Sequence, residues 1–302
     1  MYIPKNRVFK KILTRPIHQW ETKRSYPIRE KIFSLPPVAV NPEADTVVTI
    51  LTTPNTIYDA AWAARSILAN LTLTVSLKIV VDGSVFPSVQ EKLQIAFPGI
   101  ELANAEKFLE EAKEKLPNIY RLGSYHPLGR KLAVIFLNQE SKHTLFSDAD
   151  VLCLNSISDL CEAIESATRG KYIQDINGVK TDPILYRKIQ SMGLSIAENI
   201  NTGLLYIPEK SLELSLAEKI LDGINDELTS WFGETTILAA LMEKAQAIPL
   251  PAQKYVVSCQ RQFYFEDDVN YNDIAARHFV TPVRHLMYMR GMPKLWNDWQ
   301  QS

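Results

Sequence analysis

The sequence lacks a hydrophobic run long enough to cross a membrane, and its N-terminus has no uninterrupted apolar signal core. Its 302 residues carry a formal net charge of −1, so no overall field favours nucleic acid, which is not an expected partner. Apolar residues make up 46% of the chain and charged residues 22%, the composition of an ordinary globular protein.

Cysteine is scarce: there are three, at Cys153, Cys161 and Cys259. Their number is odd, and their spacing does not match the CxxC pairs of structural zinc sites. They are typical of buried thiols in a reducing compartment. We therefore expect a cytoplasmic protein.

Basic residues are concentrated near the N-terminus, where residues 1–35 hold nine Lys or Arg against Glu21 and Glu30. The proline-rich segment 36–42 cannot continue a helix or a sheet ladder. We therefore predict a basic extension over residues 1–42 and a single domain over residues 43–302. The extension is expected to pack its apolar residues on the domain. The alternative is an electrostatic contact with an acidic partner or an anionic lipid surface, which would make the protein peripherally membrane-associated.

Strand and helix patterns alternate along the chain. Buried strands are predicted at residues 46–52, 143–147 and 203–208, and at 77–83, where the strand ends in a turn. Helices are predicted at 57–70, 127–138 and 231–245, with one more that includes residues 89–96 and ends by residues 98–99. Strands that alternate with helices imply right-handed βαβ crossovers. The predicted fold class is α/β with a mostly parallel central sheet.

Two carboxylates, Asp148 and Asp150, directly follow the predicted strand 143–147. In an extended backbone both would point to one side and Ala149 to the other. Adjacent carboxylates repel each other unless a cation or hydrogen-bond donors neutralise them, and oxygen ligands suit Mg²⁺ or Mn²⁺. Ligands of open α/β sheets bind beyond the carboxyl ends of the strands. The alternative is a turn in which Asp148 caps the next segment and Asp150 is solvated.

Residues 145–154 resemble the DxD motif of GT-A glycosyltransferases. Four further segments, in the family's order, are similar to motifs of its family 8-like members: Asn201-Thr202-Gly203 to N-[ST]-G, Phe232-Gly233-Glu234-Thr235 to D-Q/E-x-x-[LF], His278-Phe279 to the late H-[YF], and Pro293-Lys294-Leu295-Trp296 to the closing K-P-W. With the first strand, this resemblance covers residues 46–296. Glu234-Thr235 stands where Asp-Gln is usual, and Pro-Lys-Leu-Trp where Lys-Pro-Trp is usual.

The resemblance implies a GT-A type, Rossmann-like α/β/α fold of three layers and a metal-dependent glycosyltransferase. The donor would be a nucleotide-diphospho-sugar, with UDP as the expected nucleotide. The acceptor would be a saccharide, a lipid-linked acceptor or another small molecule, and the cofactor Mn²⁺ or Mg²⁺. One alternative is a sugar nucleotidyltransferase, although residues 51–56 lack the glycine-rich phosphate loop typical of such enzymes. The other is a non-catalytic protein of the same fold that binds nucleotide sugars.

The resemblance also assigns site residues. Asp150 is the expected direct metal ligand, and Asp148 lies nearer the ribose and a metal-bound water. His278 is the expected third ligand, with His285 as the alternative. The nucleotide-binding residues are expected to be Thr52, Thr53, Asn55, Tyr58, Asp82, Arg130 and Lys131.

Glu234 is the candidate catalytic carboxylate beside Asp148, in contact with the transferred sugar or the acceptor hydroxyl. The alternative is a carboxylate that favours a helix dipole. Tyr206, Trp231 and Phe232 are candidates for a face that stacks on a sugar, or for core positions.

Overall fold

The computed structural model describes residues 23–24, 27–138, 141–167, 169–176, 178, 181–224, 232–258 and 269–301. The predictions for Trp231, for Cys259 and for the basic residues before Lys23 lie outside these residues. No helix in the described ranges is both long and apolar enough to span a bilayer. Cys153 and Cys161 are buried free thiols.

The strands are β1 (Thr46–Thr52), β2 (Ser76–Val81), β3 (Glu101–Asn104), β4 (His143–Asp148), β5 (Val151–Cys153), β6 (Lys171–Gln174), β7 (Ile200–Pro208), β8 (Ile248–Pro249), β9 (Tyr255–Val257) and β10 (Ala276–His278). Seven of them form the central sheet, in the order β3-β2-β1-β4-β7-β6-β8. Strand β7 runs antiparallel to β4 and β6, and the other neighbouring pairs are parallel. This confirms the predicted α/β class with a mostly parallel sheet.

The longer helices are α1 (Ile57–Asn70), α2 (Pro87–Ala96), α3 (Ala105–Lys115), α4 (Pro117–Tyr125), α5 (Pro127–Leu137), α6 (Ser158–Glu165), α7 (Pro183–Ser191), α8 (Leu214–Leu221), α9 (Gly233–Lys244) and α10 (Met292–Gln301). Between β10 and α10, residues 281–291 form short helical turns that end in a π-helical segment, Met287–Gly291.

Helices cover both faces of the sheet because side chains alternate along its strands. On β4, Leu145 packs into one hydrophobic cluster with α1, α2 and α10. Its neighbour Phe146 packs into a second cluster with α3, α5 and α9. These two cores on either side of one sheet make the three layers of the predicted α/β/α arrangement.

A small second sheet lies beside the carboxyl end of β4. In it β10 pairs antiparallel with β5 and parallel with β9. His278 on β10 is opposite Val151 on β5, and the backbone N–H of Phe279 donates to the carbonyl oxygen of Asp150 at 2.8 Å. The pairing brings a residue from near the end of the chain to the carboxylates that follow β4.

The segment before β1 packs on the domain. Ile32 and Leu35 are buried in the same core as α1. The backbone N–H groups of Val38 and Val40 donate to the carbonyl oxygens of Ala96 and Pro98, both at 2.9 Å. Residues 27–42 therefore contribute packing surface, and the boundary between residues 42 and 43 stays a prediction.

Candidate active site

A cavity of about 460 Å³ opens where β1 and β4 end. Strand β7 runs antiparallel to β4, so its first residues lie at this same edge of the sheet. The cavity is lined by Leu51, Thr52, Thr53, Thr56, Asp59, Asp82, Pro127, Leu128, Lys131, Asp148, Ala149, Asp150, His278, Val280, Thr281 and Arg284. Ligand binding is expected at this edge of an open α/β sheet.

The two aspartates face the cavity, but not in the way that strand alternation predicts. Strand β4 ends at Asp148, and Ala149 and Asp150 form a turn before β5. Ala149 borders the cavity beside both aspartates and is also buried in the hydrophobic cluster that contains Leu145 and α1. The turn bends the chain between the two carboxylates, which an extended backbone would not do.

Asp150 is buried and surrounded by basic groups. Its Oδ1 lies 3.1 Å from Nε2 of His278, and its Oδ2 accepts a hydrogen bond from Arg284. Burial alone would raise the pKa of Asp150, but His278 and Arg284 outweigh it and hold the pKa well below its usual range. The carboxylate is therefore ionised at neutral pH. Its burial excludes the predicted alternative of a solvated Asp150.

His278 is held by the Asn201-Thr202-Gly203 segment of β7. Its Nδ1 lies 2.7 Å from Oδ1 of Asn201, which also accepts the backbone N–H of Gly203 at 2.9 Å. The imidazole lies against Gly203, where a Cβ would come within 2.3 Å of the ring carbon Cε1. The asparagine and the glycine of the N-[ST]-G segment thus fix the orientation of the histidine.

The side chains of Asp148, Asp150 and His278 fit a divalent ion, since their ligand atoms all lie within 4.8 Å of one another. The amide oxygen of Asn201 can only accept, so Nδ1 of His278 carries the proton. Nε2 then faces Oδ1 of Asp150 at 3.1 Å, as the second N–H donor of an imidazolium or, in the neutral ring, as a lone pair that a metal ion can take up. Among the described residues this group of ligands includes His278 and not His285.

Lys131 on α5 is buried against Asp148. Its Nζ lies 2.9 Å from Oδ2 of Asp148, 3.2 Å from Oγ1 of Thr202 and 3.4 Å from Oε1 of Glu234. Burial would lower the pKa of Lys131, but Asp148 and Glu234 outweigh it and raise the pKa above its ordinary value. The ammonium group therefore stays charged at the edge of the cavity.

Glu234 lies in the first turn of α9, and its side chain is buried behind Lys131. Oε2 accepts a hydrogen bond from Thr235, whereas Oε1 has only the ion pair with Lys131 at 3.4 Å. Glu234 does not belong to the lining of the 460 Å³ cavity. The sequence predicted a catalytic carboxylate at Glu234. In the structure, Lys131 lines the cavity and Glu234 lies behind it.

By sequence, this chain matches neither a protein family nor a curated protein. By structure it is similar to the bifunctional glycosyltransferase WbbM (TM-score 0.55, 12% identity), covering 87% of this chain and 53% of that one. It is also similar to the galactosyltransferase LgtC solved with donor and acceptor sugar analogues (TM-score 0.53, 14% identity), covering 84% of this chain and 99% of that one. A third similar structure is mouse xyloside xylosyltransferase 1 (TM-score 0.51, 11% identity), covering 82% and 99%. The fold is that of the GT-A glycosyltransferases.

At these identities the likeness establishes the GT-A fold alone, and the chain spans about half the length of WbbM. The DxD segment lies at the end of a central strand of this fold, where β4 gives way to the turn of Ala149 and Asp150. The activity is therefore argued below from the side chains of the cavity.

The predicted nucleotide-binding residues divide into two groups in this GT-A fold. Thr52, Thr53, Asp82 and Lys131 line the cavity, whereas Asn55, Tyr58 and Arg130 lie outside its lining. Arg130 donates to Oδ1 of Asp82 at 2.7 Å and lies 3.7 Å from Glu106. Tyr58 packs edge-on against Phe33.

Two cavity residues, Asp59 and Arg284, were missed by sequence reasoning. A signal existed for Arg284, which lies six residues after His278 and directly precedes His285. The predicted motifs do not include Arg284, whereas Lys294 belongs to the segment likened to K-P-W. Lys294 lies outside the cavity lining, where it donates to the carbonyl oxygen of Leu154 at 3.3 Å and pairs with Asp298.

The described candidates for stacking on a sugar, Tyr206 and Phe232, differ in location and in exposure. Tyr206 is buried in the core, with its hydroxyl 2.9 Å from Nδ1 of His143 at the amino end of β4. It therefore lies at the other end of the sheet from the cavity. Phe232 is 37% exposed next to α9.

Proposed function

We propose that this protein is a metal-dependent glycosyltransferase, which transfers a sugar from a nucleotide-diphospho-sugar to a saccharide, lipid-linked or other small acceptor. UDP is the proposed nucleotide and Mn²⁺ or Mg²⁺ the proposed ion. The observation that carries the proposal is the group Asp148, Asp150 and His278, whose ligand atoms lie within 4.8 Å at the carboxyl edge of a GT-A sheet.

The charges of the cavity support a bound metal diphosphate. Four carboxylates line the cavity (Asp59, Asp82, Asp148 and Asp150), and Glu234 lies behind it. Four cations pair with these five carboxylates: Arg29, Arg130, Lys131 and Arg284. This surplus of negative charge opposes a free diphosphate and favours a divalent cation. When a divalent cation is bound, the net charge of the site becomes positive, so the site then attracts an anionic diphosphate.

Each charged side chain has a proposed task in the transfer. When bound, the ion supplies Lewis-acid stabilisation of the departing nucleoside diphosphate. Lys131 and Arg284 lie on either side of the carboxylates, where their fixed charges would stabilise the same developing negative charge. Thr52, Thr53 and Asp82 at the ends of β1 and β2 supply hydrogen-bonding groups for the nucleoside. Glu234 is proposed to stabilise positive charge on the transferred sugar, because its Oε1 has no partner besides Lys131 among the described residues.

The test is a panel of nucleotide sugars incubated with the full chain, with release of nucleoside diphosphate measured in Mn²⁺, in Mg²⁺ and in EDTA. We expect release with a metal ion and none in EDTA. The matched pair is Asp150→Asn, which should be inactive, and Asp45→Asn, which removes an exposed ion pair with Lys142 just before β1 and should be active. Release of pyrophosphate from a nucleoside triphosphate and a sugar phosphate would identify a nucleotidyltransferase instead. Binding of a nucleotide sugar without turnover would identify the non-catalytic alternative.

A further inference from the structure

Three buried side chains form a polar cluster behind the cavity: Arg29, Asp59 and Tyr288, called the Asp59 cluster below. Nε of Arg29 lies 2.7 Å from Oδ1 of Asp59, and the hydroxyl of Tyr288 donates to Oδ2 at 2.9 Å. The cluster joins the N-terminal segment, α1 and the π-helical segment Met287–Gly291. Of its members, Asp59 lines the cavity.

Arg29 is fixed on several sides. Its NH2 group donates to the carbonyl oxygen of Asn55 at 2.7 Å, and its own carbonyl oxygen accepts from Nε1 of Trp62 at 2.9 Å. The guanidinium carbon lies 5.8 Å from the ring centre of Tyr58 and 5.7 Å from that of Tyr288. These contacts hold the positive charge of Arg29 at one fixed place beside the carboxylate of Asp59.

Asp59 is linked to Arg284 through the chain. Tyr288 follows Arg284 by four residues on one run of helical turns, so its hydrogen bond to Asp59 holds the segment that carries Arg284. Burial raises the pKa of Asp59 above its ordinary value, although Arg29 and the Tyr288 hydrogen bond act in the opposite direction. Both carboxylate oxygens accept from donors that hold the side chain in one position.

Stability alone does not account for the Asp59 cluster. A buried ion pair is often no more stabilising than apolar side chains of the same volume, because both charges lose their hydration. Arg284 is also held directly by Asp150, which is a proposed metal ligand. An ion on Asp150 would compete for that carboxylate, so Arg284 needs a second anchor.

We propose that the Asp59 cluster is that anchor: Arg29, Asp59 and Tyr288 are positioning residues that keep Arg284 in the cavity to bind the diphosphate of the donor. This inference rests on the proposed function. The N-terminal segment is then part of the donor site through Arg29, although Arg29 lies behind the cavity wall.

The test uses Tyr288→Phe, which removes the hydroxyl and keeps the ring. Calorimetry with UDP and Mn²⁺ should give an affinity about 10-fold weaker than wild type, the scale on which the loss of an outer-shell partner is felt. In an Arg284→Gln background, Tyr288→Phe should cause no further loss, because the side chain that it positions is gone. The matched control is Tyr206→Phe, which removes a hydroxyl contact of the same length, 2.9 Å, away from the cavity and should bind UDP as wild type does.

A second variant guards against a local packing change. Arg29→Gln combined with Asp59→Asn replaces both ionisable groups by neutral amides, at the same size for Asp59 and with a shorter side chain for Arg29. It should weaken UDP binding only when Arg284 is present. Unchanged UDP affinity in Tyr288→Phe would overturn the inference, and so would an equal loss in the Arg284→Gln background. If the wild-type chain binds neither UDP nor GDP with Mn²⁺, the proposed function falls and the inference falls with it.

Discussion

Replacing Gly203 by alanine tests the metal site without replacing a proposed metal ligand. The added Cβ would lie 2.3 Å from Cε1 and 2.4 Å from Nδ1 of His278. Gly203 lies inside β7, where alanine is tolerated by the backbone. The substitution therefore acts through the contact with the imidazole.

The size of the effect follows from these distances. Non-bonded carbon atoms rest at about 3.5 Å, so the ring would have to retreat by about 1 Å. A shift of that size breaks the 2.7 Å hydrogen bond to Asn201 and moves Nε2 away from Asp150. Overpacking of this kind costs about 1–3 kcal/mol of unfolding free energy. We expect Mn²⁺ affinity to fall by about 10- to 100-fold, as when the partner that orients a ligand is lost.

The assay is calorimetry of UDP with and without Mn²⁺, beside a thermal melt. The matched control is Gly233→Ala, because among the described residues a Cβ there would meet only Leu185, at an ordinary 3.6 Å. The control should bind Mn²⁺ and UDP as wild type does. Wild-type metal-dependent affinity in Gly203→Ala would refute the reasoning, since the imidazole could then move without consequence for the metal.

Three further substitutions address the proposed site. Asp150→Asn should abolish metal-dependent UDP binding in calorimetry and leave the fold intact by circular dichroism, because the lost charge is the one that the ion neutralises. His278→Ala should weaken Mn²⁺ binding by about 10-fold or more, and His285→Ala much less. The reverse order would make His285 the ligand. Glu234→Gln should lower turnover with donor affinity nearly unchanged, because the proposed interaction strengthens only as charge develops on the sugar. Wild-type turnover beside a lowered melting temperature would reduce Glu234 to a structural partner of Lys131.

The central strands and helices could be predicted because their apolar patterns are local. The β-branched run at 46–52 coincides with β1, and the helix at 57–70 coincides with α1. The strand predicted at 143–147 ends one residue early, since β4 includes Asp148. Burial of both sheet faces makes such runs distinctive, and prolines and turns delimit them.

The small sheet could not be predicted in the same way. Strands β5, β9 and β10 have three residues each, too few for a periodicity to stand out. Their pairing joins His278 to Val151 across more than a hundred residues of chain. The resemblance selected His278 by its place in a motif, and only the fold explains why its imidazole reaches Asp150.

Arg284 shows where the motifs fail, because it lines the cavity and belongs to none of them, whereas Lys294 belongs to the segment likened to K-P-W and lies outside the lining. Both follow His278 and both are basic, so residue type does not separate them. What separates them is the direction of each side chain, which the helical turns between residues 281 and 291 determine. Arg284 and Lys294 are ten residues apart, which in a regular α-helix already leaves them about 80° apart around the axis. The π-helical segment Met287–Gly291 between them changes that angle further. Tyr288 lies within that segment and donates to Asp59, and on the proposal above this contact keeps Arg284 in the cavity, whereas Lys294 pairs with Asp298.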